Sequence, residues 1–440
     1  MSGDGLWCPG WKDSSYWLEG LPEDSHPSAQ LPARADVVIV GSGYTGLNAA
    51  IECARGGRET VVLDAGAPGH GCSSRNGGQI STSIKPSHEA LAAKFGTERA
   101  RALREVGETA LEWIEERIET EKIDCDFRRK GRFHAAHTPA AYEELCRDAA
   151  RLAGTEGIEA HPVPRAEQRG EMGTDSYYGG IVFPRHAAVD PARYHRGLLK
   201  AARAAGAQVE GLAAVTAIDR DGGEFVVTSE KGKLRARDVI VATNGYTTAA
   251  TPWLRRRVIP IGSYIIATEE LPETLVDELF PTDRIASDSC KVVYYYRASP
   301  DRRRILFGGR VSASETDTRI SGPRLHHDMC RIFPQLSQAR ISHSWMGTVA
   351  YTFDELAHCG THDGIHYAMG YCGSGVSMAS YLGMRMGQKV LGLAEGRTAF
   401  DDLPFPTRPL YTGTPWFLPP IVAWYRWRDR LQHRRAGTTA

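Results

Sequence analysis

Three glycines and one aspartate near the start of the chain have the spacing that binds the diphosphate of a dinucleotide. Gly41, Gly43 and Gly46 follow a run of buried-strand residues and precede a helical pattern. Gly41 permits a tight turn, Gly43 lets backbone N–H groups approach phosphate, and Gly46 allows the helix to pack closely on the strand. Asp64 ends the next strand about 20 residues later, where a carboxylate accepts hydrogen bonds from ribose hydroxyls.

Two further glycine-rich segments could contact the same cofactor. The loop 71–79 follows the aspartate closely, and the turn 370–375 precedes a helical pattern late in the chain. A glycine turn at a helix start points backbone N–H groups and the positive end of the helix dipole at negative charge. A dehydrogenase that uses only NAD is not expected, because nothing in that class needs the late turn.

Composition excludes several classes of protein. The chain has 440 residues, of which 42% are hydrophobic and 24% are charged, as in a soluble globular protein of two or three domains. Lys plus Arg (53) balance Asp plus Glu (53), which argues against nucleic-acid binding. No secretion signal, transmembrane segment, CxxC pair or zinc-spaced cluster is found. We expect a cytoplasmic protein without a metal.

Hydrophobic periodicity predicts an α/β fold with two parts. A Rossmann-like cofactor domain would contain a parallel sheet and a β-meander, and an α+β substrate domain would contain an antiparallel sheet. The predicted strands are 36–40, 60–63, 126–136, 181–188, 208–210, 215–219, 224–229, 238–242, 264–268, 292–297, 304–308 and 365–369, and the predicted helices are 87–95, 98–122, 139–153, 191–205 and 376–393. The predicted divisions are an arm (1–34), the cofactor domain (35–90, 185–252, 355–400), the substrate domain (91–184, 253–354) and a tail (401–440).

Four ordered motifs, with the 243–245 return strand and the late glycine turn, resemble one family over nearly the whole chain. The sequence GCSSRNGGQ at 71–79 is similar to the GASGRNGGQ loop of the gamma-glutamylputrescine oxidoreductase branch of the D-amino-acid oxidase family. The segment Val258 to Glu269 matches VIPxGSYxxATE, and YYYR at 294–297 is followed by LFGGR at 306–310. This resemblance implies FAD as the cofactor and amine oxidation as the reaction.

The resemblance also implies which residues hold FAD. The glycines 41, 43 and 46 would bind the pyrophosphate, Asp64 the ribose, the backbone at position 215 the adenine, and the late turn the pyrimidine edge of the flavin. The full set of expected cofactor residues is Gly41, Gly43, Tyr44, Thr45, Gly46, Asp64, Ser73, Arg75, Asn76, Gly77, Gly78, Gln79, Val215, Thr243, Asn244, Gly245, Gly373, Ser374, Gly375 and Val376. Non-covalent binding is expected, although Cys72 and Cys372 lie in cofactor loops.

Three departures from the branch pattern concern the late turn and the electron acceptor. Ser374 replaces a histidine in the glycine turn, and no proline follows the Thr352–Asp354 segment at the usual distance. The strand before the double glycine has no lysine, where sarcosine-oxidase relatives carry one over the flavin. Oxygen or another carrier is therefore expected to take the electrons.

The predicted substrate residues are aromatic or basic. Aromatic side chains could enclose an amine in a water-poor site, where desolvation favours the neutral amine that transfers hydride. Each tyrosine could instead be a core residue, the arginine could pair with an internal acid, and the histidine could be a solvated loop side chain. These candidates are Arg297, Tyr246, Tyr264, Tyr295, Trp345 and His70.

The sequence thus predicts an FAD-dependent oxidoreductase that removes hydride from the carbon next to an amine. The imine would hydrolyse to an aldehyde or keto product. Two alternatives remain, namely oxidation of a hydroxylated or cyclic imino acid, and an FAD-carrying subunit of a hetero-oligomeric dehydrogenase. The tail from Trp416 to Arg434 is expected to pack across the substrate domain, its first turns broken by Pro419 and Pro420, with contact to a membrane surface as the alternative.

Overall fold

The computed structural model of the protein describes residues 3–22, 24, 28–309 and 317–435. Its strands are β1 Trp7–Lys12, β2 Arg34–Val40, β3 Thr60–Leu63, β4 Gln79–Ile80, β5 Arg132–Ala135, β6 His161–Val163, β7 Gly180–Phe183, β8 Ala187–Ala188, β9 Gln208–Glu210, β10 Val215–Asp221, β11 Glu224–Ser229, β12 Gly232–Val241, β13 Ile259–Thr268, β14 Ile285–Asp288, β15 Tyr294–Ala298, β16 Ile305–Gly309, β17 Ile341–Tyr351, β18 His358–His362 and β19 Ile365–Met369. Its helices are α1 Tyr44–Arg55, α2 His88–Phe95, α3 Thr97–Thr120, α4 Pro139–Glu156, α5 Pro191–Ala204, α6 Pro252–Arg255, α7 Glu273–Leu279, α8 Thr318–Ile332, α9 Gly375–Val390 and α10 Leu418–Arg435.

The first sheet has eight strands and carries the glycine turns. Its order is β10-β11-β12-β2-β3-β9, with β19 beside β12 and β18 beside β19. Strands β2, β3, β9, β12 and β19 are parallel, whereas β10, β11 and β12 form an antiparallel meander. The buried runs of β2 and β3 explain this arrangement, because parallel strands are covered on both faces. The predicted fold class is confirmed.

The second sheet has nine strands in the order β1-β17-β13-β16-β15-β14-β5-β7-β6, and its centre is antiparallel. Side chains alternate between its faces. Tyr296 lies on one face, in a core shared with Leu325 and Met329 of α8. Tyr295 lies on the other face, against the glycines of the loop 71–79. The second sheet therefore forms a wall over that loop.

Several predicted boundaries differ from the structure. The strand predicted at 126–136 is limited to β5, and the one predicted at 181–188 is divided into β7 and β8 around Pro184, which lacks an N–H for the ladder. The cap of α5 agrees with prediction, since the Asp190 carboxylate accepts hydrogen bonds from the N–H groups of Ala192 and Arg193, both at 3.0 Å. Arg310, the last residue of the LFGGR motif, lies outside the described residues.

The N-terminal arm contacts both the second sheet and the loop 71–79. Strand β1 extends the second sheet by pairing in parallel with β17. Trp17 is buried and its indole N–H donates to the Asn76 carbonyl at 2.8 Å, while the Ser15 hydroxyl donates to the Ser74 carbonyl at 2.9 Å. The arm thus fastens the loop 71–79 to the second sheet.

Helix α3 packs with the first sheet, whereas the predicted division at residue 91 assigned it to the substrate domain. Leu103 and Ile114 of α3 share one buried core with Leu47 of α1 and Leu382 of α9. The apolar stripe of α3 has the spacing expected for such a buried face.

The C-terminal segment ends in α10, which packs against the substrate side of the molecule. Pro419 and Pro420 lie in its first turn instead of breaking it, because the first N–H groups of a helix need no partner within the helix. The Asp429 carboxylate accepts hydrogen bonds from the backbone N–H groups of Lys291 and Val292, between β14 and β15. Within the part of the chain that the structure describes, no helix is long and apolar enough to cross a membrane.

Candidate functional site

The first glycine turn is shaped for a phosphate group. Gly41 has φ of +103°, and a Cβ there would lie 2.9 Å from the Ala242 carbonyl oxygen. A Cβ on Gly46 would overlap the carbonyl of Gly41, so only glycine lets α1 start this close to β2. Gly43 is the N-cap of α1 and provides no side chain to cap it. The first N–H groups of this helix are thus suited to an anion.

Asp64 is held at the mouth of this turn. One carboxylate oxygen accepts hydrogen bonds from the Ser42 N–H at 2.7 Å and the Ser42 hydroxyl at 2.6 Å. The other accepts from the Gly66 N–H at 3.0 Å. Ser42 was not among the predicted residues, although its place inside the glycine motif was the available signal. The contacts fix the carboxylate where the sequence predicts a ribose.

The loop 71–79 is rigid because its side chains bind its own backbone. The Ser73 hydroxyl accepts from the Tyr44 N–H at 3.1 Å, and the Tyr44 hydroxyl donates to the Ser73 carbonyl at 2.6 Å. The Asn76 amide donates to the Cys72 carbonyl at 3.0 Å and accepts from the Gly78 N–H at 2.8 Å. These three predicted cofactor residues at least shape the loop and attach it to α1.

Arg75 and Trp345 connect the same loop to the second sheet. The Arg75 guanidinium donates to the His70 carbonyl at 2.7 Å and to the Met346 carbonyl at 3.4 Å. The Trp345 indole N–H donates to the Arg75 carbonyl at 2.9 Å, and its ring is buried. Trp345 therefore supports the loop from the wall of the site.

The return strand and the late turn lie together. Asn244 has φ of +46°, and its side-chain oxygen accepts from the Gly370 N–H at 2.9 Å. A Cβ on Gly245 would lie 2.9 Å from the Thr348 carbonyl oxygen. The Thr243 hydroxyl is hydrogen-bonded to the Thr247 hydroxyl at 2.8 Å. The segment 243–245 thus joins the first sheet to the late turn and to β17.

Helix α9 starts in the late turn without a side-chain cap. Gly373 has φ of +96°, and the Ser374 hydroxyl donates to the Ser83 carbonyl at 2.8 Å instead of capping the helix. Gly375 and the buried Val376 begin the helix. The Thr45 and Tyr371 hydroxyls, 2.6 Å apart, connect this turn to α1. Its first N–H groups are suited to negative charge.

Tyr295 lies closest to the glycines of the loop 71–79. A Cβ on Gly77 would lie 2.9 Å from its ring, and one on Gly308 would overlap the ring. Its hydroxyl lies 2.7 Å from the Ser263 hydroxyl. Burial raises the pKa of this phenol above its ordinary value, so it stays protonated at neutral pH. Tyr295 can therefore act as a neutral hydrogen-bonding wall of a substrate cavity.

Three other predicted substrate residues are placed differently. Tyr264 is fully buried on the opposite face of β13, in the core under α8, so it cannot face the loop 71–79. His70 is exposed and its ring packs beside Gly66, near the aspartate that was assigned to the ribose. Tyr246 is partly exposed, and its hydroxyl accepts from the Thr348 N–H at 3.1 Å.

Arg297 is buried and binds backbone carbonyls. Its guanidinium donates to the carbonyls of Gly78 at 3.2 Å, Val189 at 3.0 Å and Ala298 at 3.1 Å, and it lies 5.5 Å from the Trp17 ring centre. Burial lowers its pKa to about 10, so it remains charged at neutral pH. These contacts do not support the predicted carboxylate clamp and favour a role in holding the loop.

Sequence reasoning missed the basic side chains that surround Gln79. Arg132 donates to the Gln79 side-chain oxygen at 3.2 Å, and the Gln79 amide donates to the carbonyls of Ala286 and Tyr296, both at 3.2 Å. His134 follows on the same face of β5, and its ring lies 2.9 Å from the Ser287 hydroxyl. The signal was present, because polar residues alternate with buried Phe133 and Ala135 in β5.

The electrostatics of this cluster favour an anion. Burial lowers the Arg132 pKa to about 10, and no acid among the described residues compensates this effect. Burial, Arg132 and Lys85 lower the His134 pKa to about 3, so the imidazole is neutral at physiological pH. The Lys85 ammonium lies 5.6 Å from the Tyr351 ring centre, and Tyr351 raises its pKa. Arg132 and Lys85 therefore remain charged.

The described residues fit FAD. The two uncapped helix starts and the glycine cradles, which a Cβ would fill, suit a diphosphate and an electron-rich ring edge. FAD, when bound, would supply the group that accepts hydride and then passes the electrons to an external acceptor. Burial raises the pKa of the thiols of Cys72 and Cys372 to about 11. Both therefore stay protonated at neutral pH, and non-covalent attachment remains our prediction.

Known proteins resemble both the sequence and the fold. The chain is 33% identical over 407 residues to the gamma-glutamylputrescine oxidoreductase of Escherichia coli (90% of this chain, 93% of that protein). It is 31% identical over 404 residues to the probable oxidoreductase OrdL of Rhizobium meliloti (90% and 93%). Glycine oxidase from Geobacillus kaustophilus has a similar structure, with a TM-score of 0.69 and 22% identity, covering 86% of this chain and 99% of that one.

The family model for FAD-dependent oxidoreductases, DAO, matches residues 36–389, which include both glycine turns and every strand of the second sheet except β1. This match and the similarity to the gamma-glutamylputrescine oxidoreductase confirm the predicted cofactor and reaction class. The chain therefore belongs to the DAO family of FAD-dependent oxidoreductases, and it is an enzyme that oxidises the C–N bond of an amine or amino acid.

Proposed function

We propose that this enzyme oxidises an amine that also carries a carboxylate, and that Arg132 binds the carboxylate. In the reaction, hydride leaves the carbon next to nitrogen for the cofactor and a proton leaves the nitrogen. Water then adds to the C=N bond, and the C–N bond breaks to give a carbonyl product and an amine or ammonia. The protein must orient this carbon and exclude other water.

The observation that carries the proposal is the uncompensated charge of Arg132. Its Nε is buried and has no hydrogen-bond partner within the described residues, and the guanidinium donates instead to the neutral side-chain amide of Gln79. A buried guanidinium without an acid is costly, and a ligand carboxylate would relieve that cost through a two-point contact. Lys85 adds positive charge near His134.

The names of similar proteins support a substrate of this kind. They include glycine oxidase, L-proline dehydrogenase and iminodiacetate oxidase, whose named compounds combine an amine with a carboxylate. Gamma-glutamylputrescine likewise carries a carboxylate on its glutamyl part.

The test compares paired amines that differ only in the carboxylate, such as 5-aminovalerate and pentylamine, or glycine and methylamine. Anaerobic bleaching of the bound flavin measures turnover of each amine. The carboxylate-bearing member of a pair should react faster, and Arg132→Met should lower its kcat/KM by about 30-fold or more, mainly through KM. The uncharged member should change little.

Arg129→Met is the matched control, because Arg129 lies three residues away and pairs with Glu115 outside the cluster. Its kinetics should equal those of the wild type. Equal loss for both members of a pair would assign Arg132 to folding or to flavin binding. Equal reactivity of both members in the wild type would contradict the proposed substrate class, and no reduction by any amine would favour a subunit that only carries FAD.

We also propose a cytoplasmic location with oxygen or another carrier as the electron acceptor. The structure describes all nine cysteines and joins none of them in a disulfide, which suits a reducing compartment. Stopped-flow reoxidation of the reduced enzyme by oxygen and by a quinone would identify the acceptor. Fast reaction with only one of them would decide between an oxidase and a dehydrogenase.

A further inference from the structure

The C-terminal segment, residues 408–435, has an anchored side and an exposed side. On the anchored side, Tyr411 donates to the Val258 carbonyl at 2.6 Å, and Leu418 joins a buried cluster with Ile259. Further along, Val422 is buried and Asp429 caps the loop before β15. The segment is therefore part of the folded molecule.

The exposed side of α10 is apolar and aromatic. Trp424 is 50% exposed and Trp427 is 57% exposed. Trp424 comes two residues after buried Val422, so the two side chains leave the helix roughly 160° apart around its axis. Near these side chains along the chain, Ile421 is 39% exposed and Trp416 is 64% exposed. This is a concentration of large exposed apolar side chains that a solvated surface helix does not need.

Positive charge accompanies these side chains. Helix α10 contains five arginines, at positions 426, 428, 430, 434 and 435, and one acid, although the whole chain has no net charge. The one acid, Asp429, is buried against backbone N–H groups and therefore does not neutralise the surface. The Arg428 guanidinium lies 5.3 Å from the Trp424 ring centre.

We propose that the exposed face of α10 docks on the surface of a bilayer that contains anionic lipid. Tryptophan prefers the interface between headgroups and acyl chains, and arginine is attracted to anionic headgroups. Two copies of the same face would bring arginine-rich helices together, so charge disfavours a symmetric dimer here. The docking is peripheral and independent of the substrate class proposed above.

The position of the segment gives docking a consequence for the site. Tyr351 and Phe353 pack against the cluster of Tyr411 and Leu418. Tyr351 is also the ring beneath the Lys85 ammonium. The C-terminal segment and Lys85 of the basic cluster are thus joined through the ring of Tyr351.

Co-sedimentation of the FAD-loaded full chain with vesicles tests the proposal. Vesicles of phosphatidylcholine alone should bind weakly, and vesicles that also contain phosphatidylglycerol should bind the enzyme, less so as salt rises. The double variant Trp424→Ser/Trp427→Ser should lower the partition coefficient by about tenfold or more. Arg426→Gln/Arg428→Gln should lower it by about fivefold per charge and only on the anionic vesicles.

The control is Leu212→Ser/Leu393→Ser, which removes exposed apolar side chains elsewhere and should bind vesicles like the wild type. Flavin content and turnover in solution report whether each variant is folded. Absence of binding to anionic vesicles, or binding that the tryptophan variant retains, would overturn the proposal. So would a stable lipid-free dimer that the tryptophan variant abolishes, since the face would then belong to a second copy.

Discussion

Arg297 illustrates how a residue type alone can mislead. On the sequence it is a charged side chain on a strand beside the site, which fits a substrate carboxylate. In the fold its Nη1 and Nε donate to three carbonyls, which belong to the loop 71–79, to the segment before α5 and to its own strand. Such pairings are non-local, so no sequence spacing could have predicted them.

Arg297→Lys should therefore weaken FAD binding and lower the thermal midpoint. A lysine keeps the charge but has a single donor nitrogen, so it cannot replace Nη1 and Nε together, and loss of a hydrogen bond from a charged donor costs about 1.5 to 3 kcal/mol. Flavin fluorescence titration and a thermal scan measure both effects. Unchanged FAD affinity, together with a raised KM for a carboxylate-bearing amine, would return Arg297 to the substrate site.

Asp64→Ala should raise the dissociation constant of FAD by about tenfold to a hundredfold, because charge-assisted hydrogen bonds are lost. The measurement is titration of the flavin-free protein with FAD, with circular dichroism to verify folding. Asp221→Ala is the control, since Asp221 pairs with Arg235 at the surface of the meander. If both variants bind FAD equally well, the carboxylate of Asp64 does not face the ribose.

At the scale of elements, periodic patterns predicted most of the molecule. The parallel strands, the meander and the cap of α5 follow from local composition and turn chemistry, and the structure contains them. The edge strand β1 was missed because its partner β17 lies far along the chain. The alternation of polar residues in β5 was visible in the sequence, but the contact of Arg132 with Gln79 was not, since β4 and β5 belong to different sheets.

The contact of α1 with α9 depends on small residues. A Cβ on Gly383 would overlap the Thr45 carbonyl, so Gly383→Ala should destabilise the fold by about 1 to 3 kcal/mol and reduce FAD content. Gly154 in α4 has open space around it, and Gly154→Ala should stabilise by about 0.5 to 1 kcal/mol. Thermal scans of the two variants check the opposite signs. Equal effects would show that α1 and α9 are not closely packed.

Across the whole molecule, buried histidines should make stability depend on pH. Burial lowers the His134 pKa to about 3, whereas an unfolded chain has about 6.5. Between pH 3 and pH 6.5 the unfolded state binds more protons than the folded state. The free energy of unfolding therefore decreases as the pH falls from about 6.5 toward 3. Asp288 has the opposite effect on the free energy of unfolding. Burial raises its pKa to about 7, so the folded state holds this proton more tightly than the unfolded state does.

His134→Gln should reduce the loss of thermal stability between about pH 7 and pH 5, because it removes one group that must stay neutral when folded. His161→Gln serves as the control, since that imidazole is at the surface beside Glu159. Thermal midpoints of the three proteins at both pH values provide the comparison. An identical pH dependence of His134→Gln and wild type would mean that this imidazole is not desolvated.

The pairing of β1 with β17 determines when the second sheet can form during synthesis on the ribosome. Residues 7–12 are synthesised long before their partner, which begins at residue 341. At the usual rate of synthesis this delay is on the order of tens of seconds, during which the strand has no ladder to join. The hydrogen bond from the Trp17 indole can hold the Asn76 carbonyl in place only after the second sheet has formed. The cofactor loop therefore becomes rigid only after β17, which ends at Tyr351, has left the ribosome.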